Sequence, residues 1–299
     1  MRTVPASIAL LTLPLVTMLG LAACGSTTSA PPAADAGLTR AAALALSGSA
    51  RSGTALLAQL MVNPTDLGAL AGVTAQSAPA GAGGLSLRPQ VFSCAASSTP
   101  AQPTDADRDL IPLTTTFAID CSVSDDITGA GFGVKGAANV SDSDDNDARS
   151  GYSVSISNLH LFGSTGFNSA SLTLNLGFTL LPTTSGYSVS SVYSLDTSTP
   201  QNGTSTLSYS LSGVSYLPDS ARSPRLGGTW NGSGSAASTR AGHTLALNMT
   251  ASNLHFNPAC TGRFDGGSVS YGDLAGNTLT LSYPKCGAVN ASYNGAALN

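Results

Sequence analysis

Glutamate is absent from this 299-residue chain, so all 16 acidic residues are aspartates. Lysine is close to absent, with only Lys135 and Lys285, and charged residues make up 9% of the whole. With a formal net charge of −4 and no basic patch, the chain has no electrostatic footprint for nucleic acid. It has none for anionic lipid headgroups either. A glycosidase pair would have to come from two aspartates, and the pattern singles out none. Aromatic residues are 6% and form no girdles, which argues against a membrane-spanning barrel. Beyond the first two dozen residues no apolar run reaches the length of a spanning helix. G-x-S-x-G, H-E-x-x-H, the phosphate loop and the dinucleotide fingerprint are all missing. Serine is so abundant that a triad assembled from scattered Ser, His and Asp carries no information. C-x-x-C is missing as well, which weakens a redox or zinc reading. These gaps point to a protein that is not an enzyme.

The N-terminus is more specific. Arg2 supplies one positive charge, Val4 to Leu19 is almost wholly apolar, and Leu21-Ala22-Ala23-Cys24 follows. A short charged region, a short apolar region and a small-residue ending describe a signal peptide. The small-small-Cys ending resembles the lipobox of bacterial lipoproteins. That resemblance implies cleavage after residue 23, a diacylglyceryl thioether on Cys24, and anchorage on the non-cytoplasmic side of the cell envelope, at the outer membrane or cell surface. Acyl chains such as palmitate would then hold the protein, each buried CH₂ contributing about 0.8 kcal/mol, and two or more chains anchor stably.

With Cys24 assigned to lipid, Cys94, Cys121, Cys260 and Cys286 remain. An even number in an exported chain reads as two disulfides, with three pairings open. The spacing favours Cys94–Cys121 and Cys260–Cys286, because each pair brackets one predicted hairpin. Cys260 and Cys286 centre on Asp273, inside a Gly272–Gly276 turn.

Composition divides the chain into a signal peptide (1–23), a flexible Ser/Thr/Ala/Pro-rich tether (24–37), a helical segment with a linker (38–87) and a β domain (88–299). Leu56, Leu57, Leu60 and Met61 recur at helical spacing, and Asn63-Pro64 stops the run, although Gly48 and Gly53 weaken it. A second short helix is expected to begin at Asn63-Pro64 and end near Gly72.

After about residue 88 the period becomes two. Ala170, Leu172, Leu174, Leu176, Phe178 and Leu180 alternate with small and hydroxylated residues, as do Leu207, Tyr209 and Leu211, and Leu245, Leu247 and Met249. One apolar face and one hydroxyl-covered face mark antiparallel sheet with a wet side. The lack of a helical stretch between strands argues against a parallel βαβ plan. Two segments, about 136–160 and 228–255, share the order Gly-x-x-Asn, Arg-x-Gly, then Ser-Asn-Leu-His. Both shift their apolar phase by one residue at Ser-Asn, which a β-bulge does. They read as a duplicated hairpin unit, with chance similarity in a Ser/Gly/Ala-rich chain as the alternative. His160 and His255 fall at equivalent positions on the polar face, as a metal pair or as two cross-strand histidines.

The sharpest local chemistry is Asp105-Ala-Asp107-Arg-Asp109. Aspartates at alternate positions in an irregular loop can turn several carboxylates to one point, and calcium takes 6–8 such oxygens. The string resembles the D-x-D-x-D loops of calcium-binding repeats such as dockerin-like and thrombospondin-like modules. It departs from them in lacking a glycine after the third aspartate and a distal glutamate. A second run holds Asp142, Asp144, Asp145 and Asp147. A hairpin of 111–124 with 130–140 would set residue 111 beside residue 143 and bring both runs to one end of the sheet. The seven aspartates then form either one shared calcium site or two solvated loops that keep the edge soluble.

The expected fold is mainly β: an antiparallel meander of about ten strands, closed as a half-barrel, barrel or sandwich, with an N-terminal helix covering part of its apolar face. Two functions remain. One is a membrane-anchored, non-enzymatic envelope lipoprotein of structural or adhesive type, with another envelope component as its expected partner. The other is a carrier of a hydrophobic ligand held between sheet and helix, by architectural analogy with half-barrel lipoprotein carriers.

Overall fold

A computed structural model of the chain describes residues 37–62, 91–109, 111–124, 131–165, 168–199, 203–220, 223–240, 243–260 and 262–298. The signal peptide, Cys24, the expected second helix and the turn around Asp125–Gly129 lie outside these residues.

Among the described residues one α-helix, α1 (Arg40–Val62), precedes thirteen strands. These are β1 (Val91–Thr99), β2 (Thr115–Ser124), β3 (Gly131–Asp142), β4 (Tyr152–Thr165), β5 (Asn168–Thr183), β6 (Gly186–Thr199) and β7 (Gly203–Pro218). Then follow β8 (Gly228–Arg240), β9 (His243–Phe256), β10 (Phe264–Gly272), β11 (Thr278–Lys285), β12 (Ala288–Tyr293) and β13 (Ala296–Ala297). Every strand pairs antiparallel with its sequence neighbours, giving one sheet in the order β1 to β13. Among the described residues no pairing joins β1 to β13, so the sheet is open. The count exceeds the expected ten because short strands such as β12 and β13 offer no long alternation to read.

The period-two pattern does what it predicts. Leu174, Leu176, Phe178 and Leu180 of β5 are buried, as are Leu207, Tyr209 and Leu211 of β7. The phase slips are bulges. Pairing of β4 with β5 breaks between Ile156 and Leu159, and Asn158 there has φ +54°. Asn253 of β9 has φ +48°, where pairing with β10 breaks between Gly266 and Ser268. Asn253 N–H donates to Asn231 Oδ1 (2.7 Å) from its own hairpin, whereas Asn158 N–H donates to Asn175 Oδ1 (2.9 Å) from the following strand. Further breaks at Val189–Ser191, Leu211–Ser215 and Trp230–Gly232 extend a band of bulges across the sheet. Each bulge sharpens local twist and bends its strand, so a band of them curls the sheet.

Helix α1 lies on the apolar face. Thr39 caps it, its Oγ1 accepting from Ala42 N–H at 3.2 Å. In the first half Ala43, Leu46, Ser47 and Ala50 are buried while Leu44 is exposed, the pattern of a one-sided helix. In the second half Leu56, Leu57, Ala58, Leu60 and Met61 are all buried, so this half is enclosed on every side. Tyrosine hydroxyls from the sheet donate to its carbonyls, Tyr152 to Leu60 (2.9 Å) and Tyr209 to Gly53 (3.2 Å), and Tyr293 donates to Leu38 (2.7 Å) just before it. Gly53 is tolerated mid-helix because a Cβ there would stand 3.0 Å from the Tyr209 ring.

Candidate functional site

In an antiparallel meander, connections after odd-numbered strands gather at one end and those after even-numbered strands at the other. The β1–β2 and β3–β4 connections therefore share an end, and both acidic runs lie in them. Asp142 N–H donates to Pro112 O at 3.1 Å, so the two chains meet where the hairpin register sets them side by side.

The loop around Asp107 is built from its own carboxylates. Asp107 Oδ1 accepts from Asp109 N–H (3.1 Å), and Asp109 Oδ1 accepts from Ile111 N–H (2.7 Å), with Arg108 between them at φ +61°. Aspartate side chains commonly bond the backbone two residues on. Asp145 Oδ1 reaches across to Ala106 N–H at 3.0 Å. Asp142 Oδ1 accepts from Ser150 Oγ (2.7 Å) and Asp144 N–H (3.4 Å).

Carboxylate oxygens of Asp105, Asp107 and Asp109 converge within 4.8 Å of one another, and so do those of Asp107, Asp142 and Asp145. Asp107 belongs to both triads. Asp142 is 6% exposed and Asp145 7%. Burial pushes the Asp107 carboxyl above its ordinary value; Asp142 and Asp105 add to the rise, and the bond from Asp109 N–H opposes it. Burial likewise pushes Asp109 up to about 6, with Asp107 and Asp142 adding to it and Ile111 N–H and Arg225 opposing.

Two expected members stand apart. Asp144 is exposed and accepts from Asn146 N–H and Nδ2. Asp147 accepts from Arg149 N–H and pairs with its guanidinium at 3.2 Å, which holds its carboxyl below the ordinary range. Both turn into the β3–β4 connection rather than towards Asp107, so the cluster has five aspartates and not seven.

Arg225 is the residue that sequence reasoning missed. It sits in the short 3-10 helix Pro224–Leu226. Its guanidinium donates to the carbonyls of Met61 and Val62 at the end of α1 and to that of Asp109. The helix C-terminus and the acidic loop thus share one cation. An arginine in a Ser/Pro loop carries no periodic signal that could announce this.

Cys260 and Cys286 form a disulfide with Cα atoms 5.2 Å apart, joining the β9–β10 and β11–β12 connections across the base of the β10–β11 hairpin. Cys94 and Cys121 are direct register partners in β1 and β2, as the favoured pairing requires. His160 and His255 are cross-strand groups. His160 Nδ1 lies 3.1 Å from Thr173 Oγ1, and His255 sits between Asp265 and Asp219.

The opposite end of the sheet holds a cavity of about 490 Å³ lined by Tyr193, Tyr209, Ala236, Leu247, Gly272 and Leu274. The chain enters the fold at this end, where Leu38 N–H donates to Asp273 Oδ2 at 2.6 Å.

Comparisons with protein-family models, with curated proteins and with solved structures return no match to this chain.

Proposed function

We propose that this chain is a non-enzymatic lipoprotein of the cell envelope, structural or adhesive in type, held on the non-cytoplasmic side of a membrane by lipid on Cys24. The observation that carries the reading is the polarity of the fold. The chain from Cys24 enters at Leu38, tied to the β10–β11 turn, and the next residue of that turn is Leu274, 96% exposed. The acidic loops lie at the far end, away from Leu38 and the β10–β11 turn. A lipid anchor at one end and a carboxylate-rich surface at the other suit a protein that stands on a bilayer and faces outward. Its sheet is covered by its own helix, so the body needs no partner to hide its apolar face.

Membrane fractionation of the parent chain and of Cys24→Ala tests this. The parent is expected in the membrane pellet and the variant in the soluble fraction. A variant that stays with the membrane contradicts the lipid anchor.

The carrier reading rests on the cavity. It lies at the tethered end, and the buried Tyr193 Oη beside it has no hydrogen-bond partner among the described residues. A cavity of this size falls within the range of small-molecule sites. Native mass spectrometry of the gently extracted chain decides between the two. A discrete non-covalent mass lost on activation favours the carrier, and a bare lipoprotein mass favours the structural reading.

A further inference from the structure

We propose that Asp105, Asp107, Asp109, Asp142 and Asp145 form a calcium site that fastens the β1–β2 connection to the β3–β4 connection. The loops divide their oxygens into two sets. Asp107 Oδ1 and Asp142 Oδ1 are spent on loop geometry. Asp107 Oδ2 and Asp142 Oδ2 are buried and meet no hydrogen-bond donor among the described residues. For Asp142 this oxygen belongs to a side chain only 6% exposed, aimed into the triad with Asp107 and Asp145. A buried carboxylate oxygen without a partner is costly, and proteins resolve that cost by pairing the charge or coordinating a metal. Among the described ion pairs none gives Asp107, Asp142 or Asp145 a lysine or arginine. Arg225 is nearby but already holds three backbone carbonyls. A bound cation is the remaining partner.

The donor set selects the ion. Every side-chain ligand is a carboxylate, which suits a hard divalent cation rather than zinc or copper. The two triads overlap at Asp107 and spread their oxygens over a wide, irregular loop. Calcium accepts 6–8 oxygens in flexible geometry, whereas magnesium demands a tight octahedron and keeps its waters. The binding would be felt beyond the loops. Arg225 bonds the Asp109 carbonyl and the last turn of α1 at once, so fixing Asp109 also fixes the end of the helix.

Titration calorimetry with calcium chloride on the full chain, purified in detergent and stripped with EDTA, tests the proposal, alongside the melting temperature. The parent is expected to bind one calcium per chain saturably and to melt higher with calcium than with equal magnesium. Asp107→Asn and Asp142→Asn keep a backbone-bonding oxygen and lose the charge. Each is expected to weaken binding roughly tenfold or more. Asp144→Asn, outside the cluster, is expected to bind as the parent does. Circular dichroism checks folding, and if Asp142→Asn unfolds, the more exposed Asp107→Asn carries the comparison. The proposal is overturned by a parent chain showing no saturable heat and no rise in melting temperature at millimolar calcium. It is equally overturned by a folded Asp107→Asn that binds as the parent does, or by equal weakening in Asp144→Asn.

Discussion

At the scale of single residues, stability is concentrated in positions where one atom decides the local backbone. Gly267 has φ +79°, and a Cβ there would lie 2.0 Å from Asn253 O, in the bulge that re-aims β9. Gly267→Ala should therefore cost about 2–3 kcal/mol in chemical denaturation, from strain and clash together. His255 gives a pH dependence whose sign can be worked out. The bond to Asp265 foremost, with Asp219 adding, raises its pKa above 6.5 against the opposing effect of burial. A group whose folded pKa lies above its unfolded value stabilises fully below the unfolded value and loses that contribution as pH rises through the folded one. Asp265 acts at the other side. Burial opposes its ionisation, but bonds from Asn257 and His255 outweigh it and hold its pKa below 3.8. Its contribution is present above that value and is lost as pH falls through the folded pKa. The melting temperature should fall as pH rises from about 6.5 towards 8, and His255→Asn should flatten that slope. An unchanged slope in the variant would show that another group titrates there.

At the scale of elements, helix α1 and its attachments carry the interior. Leu60 is fully buried and its carbonyl accepts from Tyr152, so Leu60→Ala should destabilise by about 3 kcal/mol, read from urea midpoints. Arg225→Ala strips the donor from the carbonyls of Met61, Val62 and Asp109 and should cost roughly 2–3 kcal/mol. Cys260 and Cys286 close a loop with a sequence separation of 26. Replacing both with serine should lower stability by about 3 kcal/mol on the chain-entropy estimate. Sequence alone exposed part of this. Leu56 to Met61 announced a helix, and β5, β7 and β9 announced their buried faces, because burial leaves a periodic trace. Asp142 beside Pro112 was legible from hairpin register, since antiparallel pairing fixes which residues meet. Arg225, Tyr152 and Tyr209 were not legible as helix clamps, because a single side chain reaching across the fold leaves no period. The turning away of Asp144 and Asp147 was equally hidden. It depends on local bonds to Asn146 and Arg149 that compete with the shared cluster.

At the scale of the whole molecule, a meander of thirteen strands has a large apolar face, and among the described residues one long helix lies against it. The band of bulges from β4 to β10 answers this by curling the sheet, so that a helix about 34 Å long is enclosed over its second half. The bulges at Asn158 and Asn253 were legible as phase slips, but strand count and closure were not, because alternation does not encode how far a band of bulges curls the sheet. The fold then has two distinct ends, one with the chain entry, Leu274 and the cavity, the other with the acidic loops and Arg225. The structural reading depends on α1 being a permanent part of the interior rather than a lid that yields to a ligand. Native-state hydrogen exchange tests that most directly, because a yielding element exchanges through local opening. The amides of Thr54 to Met61 are expected to exchange as slowly as those of β5 and β6. Fast exchange across Thr54 to Met61 while β5 and β6 stay protected would contradict it, and would show an interior that opens without unfolding the sheet.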